Sequence, residues 1–180
     1  MNLDQCIDMA ELMDRVLAMS QEGFRKTVDC HCLVAETPKG TGECSPHLLT
    51  LPYGDTPRSL QGQHLSMPLE GDLFVLFLQK CGTASLQDLY LLGRSSECDM
   101  TLPHMSVSKQ HAIFEDRHGR IFLSDLNSTN GTFVSGHRLE EGRPMLIRNK
   151  NVLRFGDVPA IFFSPAGLYS YVSDFRRLQG

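Results

Sequence analysis

The chain has 180 residues, 41% of them hydrophobic and 21% charged, with 17 Lys or Arg against 21 Asp or Glu and a net charge of −4. That composition belongs to a soluble globular fold of one ordinary domain plus an extension, and it excludes a disordered or fibrous chain. Residues 1–70 carry five Lys or Arg against ten Asp or Glu and residues 71–180 carry twelve against eleven, so no basic face or tail points to nucleic acid.

Membrane insertion and metal binding are set aside on similar grounds. The longest apolar run, DLFVLFLQK at 72–80, is far below the roughly 20 residues a membrane helix needs. The acidic amino-terminal stretch lacks the basic start of a secretory signal, so a cytoplasmic chain with no membrane partner is expected. Six cysteines, at 6, 30, 32, 44, 81 and 98, are scattered rather than framed and read as thiols. CHC at 30–32 has no second ligand pair at finger-like spacing, so neither a metal nor a cofactor is expected.

In chain order, Leu3, Ile7, Ala10, Met13 and Leu17 recur at helical spacing, with Asp4, Asp8, Glu11 and Asp14 mostly on other faces. This predicts an amphipathic helix over 3–19 whose apolar stripe packs against its own domain, with partner binding as the alternative. From Thr37 to Gly71 ten prolines and glycines break any long element, leaving a loop-rich linker with one short strand near 47–53. Short β-rich runs follow at 74–79, 88–94, 111–116, 120–126, 131–136, 151–156 and 159–165, separated by Asp, Asn, Gly and His turns. They predict an antiparallel sandwich or barrel, with a tight hairpin at 116–120. Residues 167–179 return to helical spacing and predict a closing helix. The resulting division is a helical extension at 1–36, a linker at 37–71, the β domain at 72–165 and a helical tail at 166–180.

Four features fall between the predicted strands, where binding residues concentrate. Gly93 ends a strand and Arg94 follows it; alone, this reads as a surface charge. SVSKQHA at 106–112 offers Ser108 and Lys109 as donors to an anion, while His111, at the start of an apolar strand, reads as structural. In SDLNSTNGTFVSG at 124–136, Asn130-Gly131 is a strong turn dipeptide whose neighbouring hydroxyls bond the loop's own backbone. FGDVP at 155–159 is a turn with no chemistry of its own.

Taken together, G-R, S-x-x-H and N-G, with 14 residues from Arg94 to Ser108 and 19 from His111 to Asn130, resemble the forkhead-associated (FHA) domain family. The resemblance covers about residues 72–165 and rests on Gly93, Arg94, Ser108, His111, Asn130, Gly131 and Thr132. It implies a mainly β, antiparallel sandwich of about eleven strands, flanked here by the amino-terminal and short carboxy-terminal helices. Its loops at one end would bind a phosphothreonine in an extended partner segment. Arg94, Ser108 and Lys109 would meet phosphate oxygens, Asn130 would hold the partner's main chain, and Thr129 would contact the phosphoresidue region. Gly93, His111, Ser128 and Gly131 would shape the loops. Lys109 departs from the family, which often has Arg or Asn there; it keeps a charge but lacks a planar fork.

The function implied is a phosphothreonine-dependent interaction module, an adaptor or regulator in a pathway run by a separate Ser/Thr kinase. The chain has no G-x-G-x-x-G with a strand lysine, no H-R-D and no D-F-G. The alternative is a phosphate-independent assembly protein that uses the sandwich and amino-terminal extension as a scaffold. An enzyme is not expected, since neither G-x-S-x-G nor H-E-x-x-H occurs.

Overall fold

The computed structural model describes residues 6–36, 73–80 and 88–179. Two sheets stack face to face. One runs in the order β1 (Cys6–Asp8), β3 (Leu73–Phe77), β2 (Cys32–Glu36), β12 (Val158–Phe163), β11 (Val152–Phe155), β8 (Thr132–Val134) and β9 (His137–Arg138). The other runs β10 (Met145–Leu146), β7 (Arg120–Asp125), β6 (Ala112–Arg117), β4 (Leu89–Gly93) and β5 (Met100–Thr101). All neighbours are antiparallel except β4 and β5.

The burial of each strand follows from how many of its faces are covered. Along β6 and β7 the inward residues Ala112, Phe114, Ile121 and Leu123 are buried and alternate with more exposed neighbours, because only one face of that sheet has a partner. In β12 every residue is buried, and in β2 only Glu36 is not. Ala35, Leu33, Leu76, Ala160 and Phe162 point into the space between the sheets. The alternate residues Cys32, Val34, Val75, Phe77, Ile161 and Phe163 point the other way, under three helices.

Those helices are α1 (Met9–Leu17), α2 (Gln21–Thr27) and α3 (Pro165–Gln179). Leu12 and Val16 of α1, Phe24 of α2 and Leu168 and Val172 of α3 bury on the sheet, and Phe24 meets Tyr169 with ring centroids 5.5 Å apart. Each fully buried side chain of this size contributes roughly 1.5–3 kcal/mol. Ser20 starts α2 by accepting the Gly23 N–H at 3.1 Å. The molecule is therefore a β-sandwich with a helical layer on one outer face.

The sequence predicts one helix over 3–19; the structure has the short strand β1 followed by α1 and α2. Strand β2 was not foreseen, and it lies inside the stretch assigned to a helical extension. Its pairing with β3 (Glu36 opposite Leu73) and β12 (Ala35 opposite Ala160) puts residues 32–36 at the middle of a sheet of the sandwich. A run of five residues between a helix and a breaker-rich stretch has too short a period to announce itself. The linker at 37–71 and its expected strand near 47–53 lie outside the described residues. The closing helix is present, two residues longer at its start than predicted.

Candidate functional site

Strand order places the ends of β4, β5, β7, β8, β11 and β12 together, and the loops they carry contain every residue singled out by the sequence. Gly93 closes β4 against the Ser108–Lys109 loop. A Cβ there would lie 2.2 Å from the Lys109 carbonyl oxygen, so only glycine allows this approach. Across the same contact Arg94 N–H donates to Ser108 O at 2.8 Å and Ser95 N–H to Lys109 O at 3.1 Å.

Arg94 itself is exposed, yet its Nε donates to Val107 O at 3.2 Å. That bond fixes the guanidinium plane and leaves the two terminal nitrogens without a partner among the described residues, a fork presented for an anion. Lys109 is also exposed, and neither cation has a carboxylate partner there.

Ser108 joins the two loops of the site. Its Oγ accepts the Thr129 N–H at 3.1 Å and donates to Thr129 Oγ1 at 3.4 Å. The second bond is long, so its hydroxyl proton can turn to a phosphate oxygen at little cost. Beneath Ser108 sits His111, 0% exposed. Its Nδ1 accepts the Ser108 N–H at 3.0 Å, so the ring proton is on Nε2 and is given to Gly131 O at 3.3 Å. Burial lowers the His111 pKa below its ordinary 6.5, against smaller opposing pulls from Gly131 O and Asp125, which keeps the ring neutral. His111 is thus a strut between the two loops.

The Asn127–Gly131 loop is held from below by Asp125, 5% exposed. Its carboxylate accepts Ser128 N–H at 2.9 Å, Ser128 Oγ–H at 2.6 Å and Thr132 Oγ1–H at 2.5 Å. Burial alone would raise its pKa, but these donors and the neighbouring His111 outweigh it and hold the carboxyl below its ordinary 3.8. Gly131, at φ 82°, takes the left-handed conformation the turn requires. Asn130 is exposed at the rim, with Nδ2 donating to Ser106 O at 2.8 Å.

The structure therefore brings Arg94, Ser108, Lys109, Thr129 and Asn130 to one end of the sandwich, with Gly93, His111, Ser128 and Gly131 beneath or between them. Three supports escaped the sequence reading. Asp125 was taken as one more turn residue. Ser106 is buried; its Oγ accepts the Asp157 N–H at 2.8 Å and pairs with His104 Nδ1 at 2.7 Å. Gly156, in the turn read as chemically silent, has φ 58°, and a Cβ on it would stand 2.3 Å from Ser106 O, so this turn braces the segment that orients Asn130. The signal available was the pairing of a Gly-Asp turn with a serine two residues before an S-x-x-H.

Among the described residues no group of three or more His, Cys, Asp or Glu is placed to hold a metal ion. No helix among them is long and apolar enough to cross a membrane.

Comparison with known proteins finds a family match over the residues that carry these loops. Residues 90–156 match the model of the FHA domain. The human nuclear inhibitor of protein phosphatase 1 is 43% identical over 70 residues, which cover 37% of this chain and 20% of that protein. A probable serine/threonine-protein kinase of Dictyostelium discoideum, fhkA, is 29% identical over 80 residues, covering 39% and 13%. The chain thus spans about a fifth or less of the length of these curated relatives. A solved structure described under phosphothreonine-dependent FHA domain interactions aligns with 74% of this chain and 95% of its own, at 19% identity and a TM-score of 0.46. Residues 90–156, which carry Arg94, Ser108 and Asn130 on their loops, are therefore similar to the forkhead-associated domain.

Proposed function

We propose that the loop end binds a phosphothreonine in an extended segment of a partner protein, and that the chain works as a phosphothreonine-dependent interaction module rather than an enzyme. The observation that carries this reading is the Arg94–Ser108–Thr129 arrangement. A guanidinium pinned through Nε and free at its fork stands on one side, and a hydroxyl with a loosely committed proton stands on the other. A phosphothreonine brings about −1.5 to −2 charges and three acceptor oxygens, and these donors match them. Lys109 adds a point charge. With Nδ2 held on Ser106 O, Asn130 presents its remaining amide atoms to the partner's main chain.

We place the module in Ser/Thr phosphorylation control, as an adaptor or regulator of a pathway whose kinase is a separate chain. The names of its relatives, a phosphatase inhibitor and a probable Ser/Thr kinase, support that setting. The scaffold alternative rests on the amino-terminal helix, and that helix is spent on the sheet, with Leu12 and Val16 buried there and Met13 of the apolar stripe packed beside them.

Calorimetric titration of matched phosphothreonine, phosphoserine and unmodified peptides tests the reading. Micromolar binding of the first, about −8 kcal/mol, is expected. Arg94→Ala should weaken it between about tenfold and a hundredfold while leaving the melting temperature in place, because the bonds lost are charge-assisted and the side chain is exposed. Equal binding of all three peptides by wild type and variant would sink the proposal.

A further inference from the structure

The opposite end of the sandwich carries a cleft that the loop site does not use. It has a volume of about 500 Å³ and lies where the β6–β7 hairpin, the 147–150 loop, the residue before β2 and the start of α3 meet. Among the described residues its walls include Arg120, Arg148, His31, Asn149, Phe162 and Ser164. That volume is within the range of small-molecule sites, roughly 300–1,000 Å³.

The cleft is built, not merely left over. Asn149 Oδ1 accepts the Ser164 N–H at 3.0 Å and the Ser164 hydroxyl at 3.3 Å. Ser164 Oγ in turn accepts the Gly167 N–H at 3.2 Å, capping α3. A Cβ at Gly167 would lie 1.9 Å from Asn149 Oδ1, so a larger residue there would push the Asn149 side chain off Ser164. On the other wall the His31 ring stacks on Phe162, centroids 5.2 Å apart and 12° from parallel.

The charge of this cleft is one-sided. Arg120 and Arg148 are exposed, and no carboxylate among the described residues pairs with either. Asp116, whose charge acts on His31, accepts the Gly119 N–H at 2.6 Å in the hairpin turn. The 15-residue helix α3 begins at the cleft with no acid in its first turn, so its positive dipole end is unanswered as well. Two guanidiniums and a helix start on the cleft's lining form a constellation suited to a negative group.

We propose that this hairpin-end cleft is a second ligand site, for a compact anion whose phosphate or carboxylate meets Arg120 and Arg148. It is independent of the loop site at the other end of the strands, so the domain can hold a phosphorylated partner and this ligand together.

The test follows amide NMR shifts of the full chain titrated with phenyl phosphate, benzoate and, as the uncharged match, phenol. Phenyl phosphate or benzoate should shift the amides of His31, Gly119 and Ile147 with low-millimolar affinity, in wild type and in Arg94→Ala alike. The response to phenyl phosphate set against benzoate tells which anionic group is preferred. Combined Arg120→Ala and Arg148→Ala should weaken it at least about tenfold, through loss of charge-assisted bonds. Loop-end amides unchanged in that variant certify its fold, and Arg148→Gln alone serves if the pair does not fold. Three results would overturn the proposal: no shift at the hairpin end with either anion, an equal shift with phenol, or shifts confined to the loop end and abolished by Arg94→Ala.

Discussion

The two ends of this sandwich are made from the same strands and differ in what lies beneath their cations. At the loop end a buried layer of Asp125, His111 and Ser106 fixes each loop to another, and Arg94 is pinned by a backbone carbonyl. At the hairpin end the arginines stand over an open cleft, and the fixed order belongs to the Asn149–Ser164 joint beside them. The first arrangement sets rigid donors at fixed separations, which suits recognition of a tetrahedral dianion within a peptide. The second offers charge and room with less positional demand, which suits a small ligand of looser shape. Preorganisation rather than charge alone is what separates the two.

The largest break in this contrast should come from Asp125→Ala. It leaves a buried N–H and two buried hydroxyls without their acceptor, so a loss of about 3 kcal/mol is expected in urea unfolding. Phosphothreonine binding should collapse with it, while the hairpin-end amides keep their shifts. Gly93→Ala comes next: the methyl would force the Lys109 carbonyl aside, costing about 2 kcal/mol and displacing Arg94 from Ser108, which a peptide titration would record as weakened binding.

Acidity sharpens the comparison. The folded pKa of His111 is lowered from 6.5, so between that value and the folded one the unfolded chain binds more protons, and stability falls as pH drops below about 6.5. His31 at the other end is lowered chiefly by burial and has the same sign. Urea unfolding at descending pH should show the loss in wild type, and His31→Gln should retain the share owed to His111. The carboxyl of Asp125, lowered from 3.8, adds a separate loss only as pH falls below that value. The smallest effect is expected from Arg120→Ala with Arg148→Ala. Both side chains are exposed, so unfolding stability should stay within about 0.5 kcal/mol of wild type. Phosphothreonine affinity, read by the same calorimetry, should not move.

Much of the loop end was legible in the sequence because its chemistry is local. Gly93-Arg94, Ser108 to His111 and Asn130-Gly131 each sit within a few residues, and their separations follow from strand lengths. Its supports were harder to read. Asp125 looks like any turn aspartate until the strand pairing buries it, and Ser106 meets Gly156 only because β5, β8 and β12 end together. The seven main strands announced themselves by alternation or by apolar runs. The two-residue strands β5, β9 and β10 have no period to detect, and β2 resembled the tail of a helical segment. The hairpin-end cleft joins residues from position 31 to position 164, so no window of sequence contains it.

The place of β2 has a consequence for how the molecule is made. Ala35 pairs with Ala160 at a separation of about 125 residues, so this sheet closes through a contact distant in sequence. β6 and β7, joined by a two-residue turn and sharing the longest antiparallel register among the described strands, pair locally and can form before that contact is made. The loop end would acquire its final spacing only once β12 has joined β2, which makes the proposed ligand binding a readout of completed folding.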